Sequence, residues 1–451
     1  MIDKLKLAAM MSAHHKAFEE MSDAIWDYAE PPFGEYRSFK LQKDFLQQQG
    51  FRITAPIGSL ETAFVAEYGS GKPVIALLGE YDALEGLSQE AGLTERSPII
   101  EGGNGHGCGH HVLGTACVEA AYAVKEVIDR QGLAGTIRYY GCPAEEGGAG
   151  KIHMLRAGAF DDVDIALTWH PQTFNAVVEG IYANLSFTYS FRGKASHAGK
   201  EPHLGRSALK AMELMNIGVQ FFREHLPPEV TIQCAILDAG GTRSNIVQDH
   251  AKILYTIRSS KNANIKAVFE QFADIAKGAA LMTGTTVEEM RIQSAYSDLI
   301  PNRTLLEQFI KNGEEFGPIA YSDEDYQLAS KFHAVSNDSS NIVLDSSKFY
   351  YRYHQASTDV CDVSYFVPTA MFFAPVYANG TNFHSWLNVA QGKLSYAHKG
   401  MHQAAKILAG TAIDLMEDQE LVNKAKQEFE DRTFGLTYSS LQPDISSGPL
   451  A

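Results

Sequence analysis

The sequence predicts an α/β protein: a mainly parallel sheet with helices on both faces, interrupted by an inserted α+β unit of the split βαβ, ferredoxin-like kind. Three observations predict it. Val74-Ile-Ala-Leu-Leu78, Asp164-Ile-Ala-Leu-Thr-Trp169 and Thr369-Ala-Met-Phe-Phe-Ala-Pro375 are apolar without alternation, as strands covered on both faces are. Asn184-Leu-Ser-Phe-Thr-Tyr-Ser-Phe-Arg192 instead alternates apolar with polar residues, the mark of a half-exposed antiparallel strand. Between residues 182 and 298 the patterns run strand, helix, strand, strand, helix, strand. A chain of 451 residues exceeds one ordinary core. It divides on this reading into a main domain, residues 1–181 and 299–451, and an insertion, residues 182–298.

Taken in order, residues 3–29 read as one long amphipathic helix closed by Pro31-Pro32-Phe33-Gly34, and residues 36–49 as a second helix ended by Gly50. Phe51-Arg-Ile-Thr54 and Thr62–Tyr68 read as strands, and the buried run from Val74 ends in Gly79-Glu80-Tyr81-Asp82. Residues 85–105 form a long Gly-containing loop of the kind that usually carries function. A helix follows, with Leu113, Ala116, Cys117, Ala120, Val124, Val127 and Ile128 at i, i+3, i+4 spacing. Thr136–Cys142 is the next strand, and a short helix separates it from the strand that ends at His170-Pro171. The insertion supplies helices at 204–224 and 262–283, with strands at 230–238, 251–259 and 286–295 between and after them. Helix-and-strand character resumes at Leu305, residues 335–350 read as a loop, and helices at 391–415 and 418–431 close the domain. The tail from Thr437 reads as loosely held.

Composition narrows the function class. Hydrophobic residues at 45% and charged residues at 20% describe a soluble globular protein. A net charge of −16 argues against nucleic acid or an anionic membrane as partner. It leaves a small anionic substrate open, because a site metal reverses the local field. The amino terminus has no apolar signal core and no run is long enough for a membrane span. The five cysteines are scattered, with no C-x-x-C pair, so the expectation is a reduced, cytoplasmic protein without a disulfide framework.

Chemistry concentrates between His106 and Glu146. His106-Gly107-Cys108-Gly109-His110-His111 packs three imidazoles and a thiol into one turn, and the strand ending at Cys142 runs into Pro143-Ala144-Glu145-Glu146-Gly147-Gly148. Adjacent carboxylates at a strand end raise each other's pKa unless a cation compensates. In a parallel sheet the strand ends converge on one edge. Cys108, His110, Glu146, His170 and His384 make a mixed S/N/O set suited to Zn²⁺, Mn²⁺ or another divalent first-row ion, and the thiolate speaks against Mg²⁺ or Ca²⁺. An extended backbone would aim Glu145 and Glu146 in different directions, so that one ligates and the other handles a proton. Asp82 is placed equally well to orient a metal-bound imidazole or to cap its own turn. The reading is a metal-dependent hydrolase site.

These residues carry a resemblance. The Cys-Gly-His motif, Pro143-Ala-Glu-Glu-Gly-Gly148 and Trp169-His-Pro171 resemble the aminoacylase and glutamate carboxypeptidase family of metallo-amidohydrolases. Lys194-Ala-Ser-His197-Ala-Gly, Gly240-Gly-Thr-Arg-Ser-Asn245-Ile-Val and Arg258 match that family's inserted lid and dimerisation domain. Gly105–His110, Ser357-Thr-Asp-Val360 and His384-Ser-Trp386 look most like the branch of p-aminobenzoyl-glutamate and indole-acetyl-amino-acid hydrolases, over roughly residues 15 to 415. The resemblance implies two divalent ions, Mn or Zn, held by Cys108, His110, Glu146, His170 and His384, with Glu145 as general base. It implies a homodimer in which His197 reaches the scissile carbonyl of the partner's site, and Asn245 and Arg258 holding the carbonyl or carboxylate of an N-acyl amino acid. It also implies a lid that closes about hinges near 180 and 298. His111 departs from the pattern, which has Asp or Asn there; it stands either beside the ligands or in competition for the metal. His106, His153 and His203 are read as structural or peripheral, and Asp359 and Asp362 receive no role.

Rival readings are weaker. A Cys108 nucleophile with His110 as base leaves the Glu pair and His170 without a role. A catalytically silent metal-binding partner subunit predicts loss of Glu145 or His197, and both are present. An aminoacylase or a dipeptidase of the same family remains the alternative within the chemistry.

Overall fold

Twelve strands form two sheets in the computed structural model, which describes residues 3–336 and 338–443. In chain order they are β1 (Arg52–Thr54), β2 (Phe64–Ser70), β3 (Val74–Glu80), β4 (Gly135–Cys142), β5 (Ile165–Gln172), β6 (Ala176–Ile181), β7 (Ala183–Arg192), β8 (Thr231–Asp238), β9 (His250–Ser259), β10 (Thr286–Tyr296), β11 (Tyr350–His354) and β12 (Thr369–Pro375). The larger sheet has the order β1-β2-β4-β3-β5-β12-β6-β11. Its four central strands, β4, β3, β5 and β12, run parallel, while β2 and β6 flank them antiparallel. The unbroken apolar runs became β3, β5 and β12 because both faces of each are covered, while β4 carries Thr136 and Arg138 among its apolar residues.

Each central strand divides its side chains between two cores. Ile75 and Leu77 of β3, Ile137 and Tyr139 of β4 and Leu167 and Trp169 of β5 enter one layer with the helices His110–Gln131 and Ser395–Glu417. Ala76 and Leu78 of β3 and Tyr140 and Cys142 of β4 face a smaller layer with Met154 and Val360. The helix His110–Gln131 is buried around most of its circumference because it lies between the sheet and the outer helices His15–Tyr28 and Ser395–Glu417. No helix among the described residues is long and apolar enough to cross a membrane.

The second sheet, β10-β7-β9-β8, is wholly antiparallel, the split βαβ arrangement expected from the element order. The alternation of β9 buries Ala251, Ile253, Tyr255 and Ile257 under the helices Ala208–Arg223 and Asn262–Thr283. Phe187, Tyr255 and Phe272 meet at the centre of this separate core. The fold is therefore α/β with a parallel-centred sheet and an inserted α+β unit.

Several local expectations need correction. The stretch 3–29 is two helices, Lys4–Ser12 and His15–Tyr28, because the chain turns at Ala13 and His14, where His14 N–H donates to the Met11 carbonyl at 2.9 Å. Strands β6 and β11 were not foreseen; β11 is an edge strand with exposed Tyr350, Tyr351 and Tyr353, so burial periodicity does not mark it. The tail is docked as far as it is described: Tyr438 Oη donates to Asp362 Oδ1 at 3.0 Å, and Gln442 Oε1 accepts the Ala295 N–H at 2.7 Å. The rest of the expected tail, residues 444–451, lies outside the described residues.

Helix His110–Gln131 approaches β3 at Gly114, where a Cβ would overlap the Glu80 carbonyl oxygen. Glycine is required there by contact, not by conformation. Gly114→Ala should cost roughly 1–3 kcal/mol, the scale for overpacking a filled core. Calorimetry should show the lowered Tm, and an unchanged Tm would mean that the helix can shift off the strand freely.

Candidate metal centre and active site

The carboxyl ends of β3, β4, β5 and β12 face one edge of the large sheet and bring the chemistry together. Asp82 follows β3, the turn Glu145–Gly148 follows β4, His170 lies at the end of β5, and His384 follows β12. Cys108 and His110 come from the turn that starts the long helix. Cys108 Sγ lies 3.3 Å from His170 Nε2, and Glu146 Oε1 lies 3.2 Å from His384 Nε2. Ligand atoms of Cys108, His110 and His170 lie within 4.8 Å of one another, as do those of Cys108, Glu146 and His384. All five expected ligand residues thus fall into two triplets that share Cys108.

Backbone conformation sets these directions. Gly109 has φ +80°, and a Cβ there would collide with Tyr377 Oη, so the turn between Cys108 and His110 needs glycine. His384 itself has φ 55°, and its N–H donates to the Gly107 carbonyl at 2.9 Å. Glu145 and Glu146 do not sit on extended backbone as the sequence suggested. They open a single helical turn, Glu145–Gly148, bracketed by left-handed Ala144 (φ 57°) and Ala149 (φ 54°). Such conformations cost about 1–3 kcal/mol each at a non-glycine residue, and surrounding bonds must hold them. The two carboxylates still diverge, because successive helical residues point about 100° apart. Glu145 joins Glu80 and His110 in a third group within 4.8 Å, while Glu146 faces Cys108 and His384.

Buried hydrogen bonds fix the imidazoles. Asp82 Oδ1 is 2.8 Å from His110 Nδ1, and its Oδ2 accepts the Glu146 N–H at 2.9 Å, so one carboxylate aligns both residues. His170 Nδ1 donates to the Pro171 carbonyl at 2.8 Å, which leaves Nε2 toward Cys108. Asp82 therefore does more than cap a turn.

The electrostatics are those of a crowded anionic pocket. Burial, then the charges of Glu80, Glu146 and Asp359, pushes the Glu145 carboxyl well above its usual range. Burial and Glu146 push the Cys108 thiol up. Burial opposes the charged form of His110, but Asp82 and Cys108 outweigh it and raise the ring well above its ordinary value. Burial and the neighbouring His110 lower His170 to about 4, so that ring is neutral near pH 7. Burial also disfavours charge on Glu146, yet His384 and His110 hold its carboxyl low.

A divalent first-row cation fits this arrangement. His110 Nε2 and Glu146 Oε1 are buried and make no well-aligned hydrogen bond, although Glu80 Oε2 and His384 Nε2 lie 3.3 and 3.2 Å away, so both atoms are better satisfied by a ligand between them. The donors are one thiol, three imidazoles and a carboxylate, the mixture that suits zinc or manganese.

The remaining predicted residues are elsewhere. His197 is exposed, its Nδ1 accepting the Gly199 and Lys200 N–H groups at 3.2 and 3.1 Å, and Asn245 is exposed on the same side of the inserted unit, where Ala198 N–H donates to its carbonyl at 2.9 Å. Neither lines the cavity beside the five converging residues. Arg258 stands closer: its Nη1 donates to Gln355 O and Ser357 Oγ, both at 3.3 Å, and it has no salt bridge among the described residues. Ser357 lines a cavity of about 380 Å³ that also contacts Cys108, Glu145, Glu146, His170 and His384. Ile181, Met371, Phe373 and Phe383 form its apolar wall. His111 is turned away from the site: its Nε2 donates to the Gly392 carbonyl at 3.0 Å, which removes it as a competing ligand. His106 is buried with Nε2 against the Ile25 carbonyl.

Sequence reasoning missed four residues. Lys151, fully buried, forms ion pairs with Glu80 and with Asp359, the latter at 2.6 Å. Asp359 also accepts the Lys151 backbone N–H, and Glu35 accepts that of Ala144, both at 2.8 Å. Burial, then the charge of Asp82, pushes the Glu35 carboxyl up to about 8.

Comparison with known proteins agrees with the geometry. The family model described as a peptidase dimerisation domain matches residues 180–282. The chain is 41% identical to one of the subunits of p-aminobenzoyl-glutamate hydrolase from Escherichia coli (strain K12), over 98% of each chain. It is 27% identical to the Xaa-Arg dipeptidase of Homo sapiens, over 95% of this chain and 92% of that one. A dinuclear metal-binding peptidase of the M20 family from Bacillus subtilis has a similar fold, with a TM-score of 0.64 at 18% identity, covering 90% of this chain and 99% of that one. The chain belongs to the M20 peptidase family and is a metallo-amidohydrolase.

Proposed function

We propose that this enzyme hydrolyses the amide bond of an N-acyl amino acid with an aromatic acyl group, of the p-aminobenzoyl-glutamate kind. The cavity carries the reading: an apolar wall of Ile181, Met371, Phe373 and Phe383 faces the thiol, imidazoles and carboxylates across about 380 Å³. An aryl group suits that wall, and Arg258, behind Ser357 and free of an acidic partner among the described residues, suits a carboxylate. The name of the 41% identical relative supports the same substrate class.

On this reading Cys108, His110, Glu146, His170 and His384 hold two divalent ions, Mn or Zn. Bound there, the ions supply the Lewis acidity that makes water a nucleophile near neutral pH. Glu145 takes a proton from the attacking water and returns one to the leaving nitrogen. His197 of the partner subunit and Asn245 steady the carbonyl oxygen as charge develops. The chain divides into a catalytic domain, residues 1–181 and 299–451, and a lid and dimerisation domain, residues 182–298. A homodimer through the lid is supported by its edge strand β8, where Ile236 and Leu237 are 58% and 53% exposed. The 41% identical relative is named as one of several subunits of its enzyme, which favours one alternative, a partner of different sequence from the same family. The five free cysteines suit a cytoplasmic setting.

The two glutamates should separate by assay. Glu145→Gln should keep its metal and lose at least about a hundredfold in kcat, whereas Glu146→Gln should lose metal measured by elemental analysis. The reverse pattern, or none, would overturn the assignment. Mixing inactive His197→Ala with inactive Glu145→Gln subunits should restore part of the activity, since one site of a mixed dimer keeps both residues. Background activity after verified subunit exchange would remove His197 from the partner's site.

Arg258 is tested through the substrate. Arg258→Ala should weaken kcat/KM for N-acyl amino acids by roughly 2–5 kcal/mol, the scale for a desolvated charge-assisted bond. The corresponding amides, which lack the carboxylate, should change far less. Equal losses for both would make Arg258 a structural residue.

A further inference from the structure

Three buried carboxylates from distant parts of the chain each accept one backbone N–H of the segment that carries Glu145 and Glu146. Glu35 Oε1 takes Ala144 at 2.8 Å, Asp82 Oδ2 takes Glu146 at 2.9 Å, and Asp359 Oδ2 takes Lys151 at 2.8 Å. Asp82 also serves His110, and Asp359 is matched by the Lys151 ammonium. Glu35 has neither tie. It is fully buried, and its other bonds go to the Phe33 N–H at 3.0 Å and the Thr62 hydroxyl at 3.1 Å.

What Glu35 holds is the residue before Glu145. Ala144 is left-handed at φ 57°, a conformation an alanine leaves unless it is anchored. Rotation about Ala144 would swing the whole turn that follows. The same amino-terminal segment grips the turn's other end: a Cβ on Gly148 would overlap the Phe33 ring, and one on Gly147 would press on Pro32. A short stretch between two helices thus touches the turn at Ala144, Gly147 and Gly148 without entering the cavity.

We propose that Glu35 is a positioning residue: by anchoring Ala144 in its left-handed conformation, it sets the direction of the Glu145 carboxylate. The inference rests on Glu145 being the general base. The hydrogen bond, not the charge, carries the effect.

Reach and charge can be varied separately. Glu35→Gln keeps the oxygen that faces Ala144 and can turn its amide toward the Thr62 hydroxyl. Glu35→Asp keeps the carboxyl group but withdraws it by one methylene. The glutamine variant should keep kcat for an N-acyl amino acid within about threefold of the parent. The aspartate variant should lose roughly ten- to a hundredfold in kcat with KM within about twofold, as expected for a displaced catalytic group. Adding Ala144→Gly to the aspartate variant should recover a substantial part of the loss, since glycine takes positive φ without an anchor. Amide hydrogen exchange over residues 144–148, read by mass spectrometry, should quicken in the aspartate variant and stay unchanged in the glutamine variant. Parent-like kcat and exchange in Glu35→Asp, or an equal fall in Glu35→Gln, would overturn the proposal. So would a loss that Ala144→Gly leaves untouched. A parent enzyme silent on every N-acyl amino acid would sink the substrate reading instead, and the exchange experiment would still decide whether Glu35 anchors the turn.

Discussion

Negative charge crowded at one sheet edge is the constraint on which the rest of the structure depends. Glu35, Glu80, Asp82, Glu145 and Asp359 are buried there, with Glu146 beside them. Carboxylates that close cannot all ionise in a low dielectric without compensation. The fold answers partly with Lys151, wedged between Glu80 and Asp359, and partly with the His110 imidazole bonded to Asp82. It answers partly with backbone N–H groups, which three of the carboxylates accept. The remaining negative charge lies at Glu146, beside the Cys108 thiol, where a divalent cation is the natural complement.

That arrangement explains why strain is tolerated where it is. Ala144, Ala149 and His384 all have positive φ and all flank the carboxylates or imidazoles that converge. A turn in this state would relax if it were held at one point. It is held by side chains from the amino-terminal segment, from the end of β3 and from the loop before β12, so no single loop can move it alone. Rigidity at the cavity is thus built by long-range contacts around a short local sequence.

The inserted unit meets the same turn. Tyr296, the last residue of β10, donates its hydroxyl to the Glu145 carbonyl at 3.0 Å. Nearby, Ser297 bonds to Asp362, whose carboxyl burial raises to about 7, and Gln442 of the tail reaches Ala295. The point where the chain leaves the insertion is therefore tied to the turn that carries Glu145 by hydrogen bonds.

The sequence by itself determined the fold class and which Cys, His and Glu side chains converge at one sheet edge. Unbroken apolar strands demand cover on both faces, alternating ones demand a single buried face, and Cys, His and Glu at strand ends converge once those strands are parallel. Those are local patterns with one physical solution. Only the tertiary structure decided that Glu145 and Glu146 diverge on a helical turn between two left-handed alanines, since alanine carries no local signal for positive φ. Only it turned His111 toward Gly392 and gave Glu35, Lys151 and Asp359 their partners, because a buried charge is chosen by what lies across the core and not by its neighbours in the chain. His197 and Asn245, recognised by motif, lie exposed and do not line the cavity, because where a surface side chain falls relative to a site is not encoded in its neighbours along the chain.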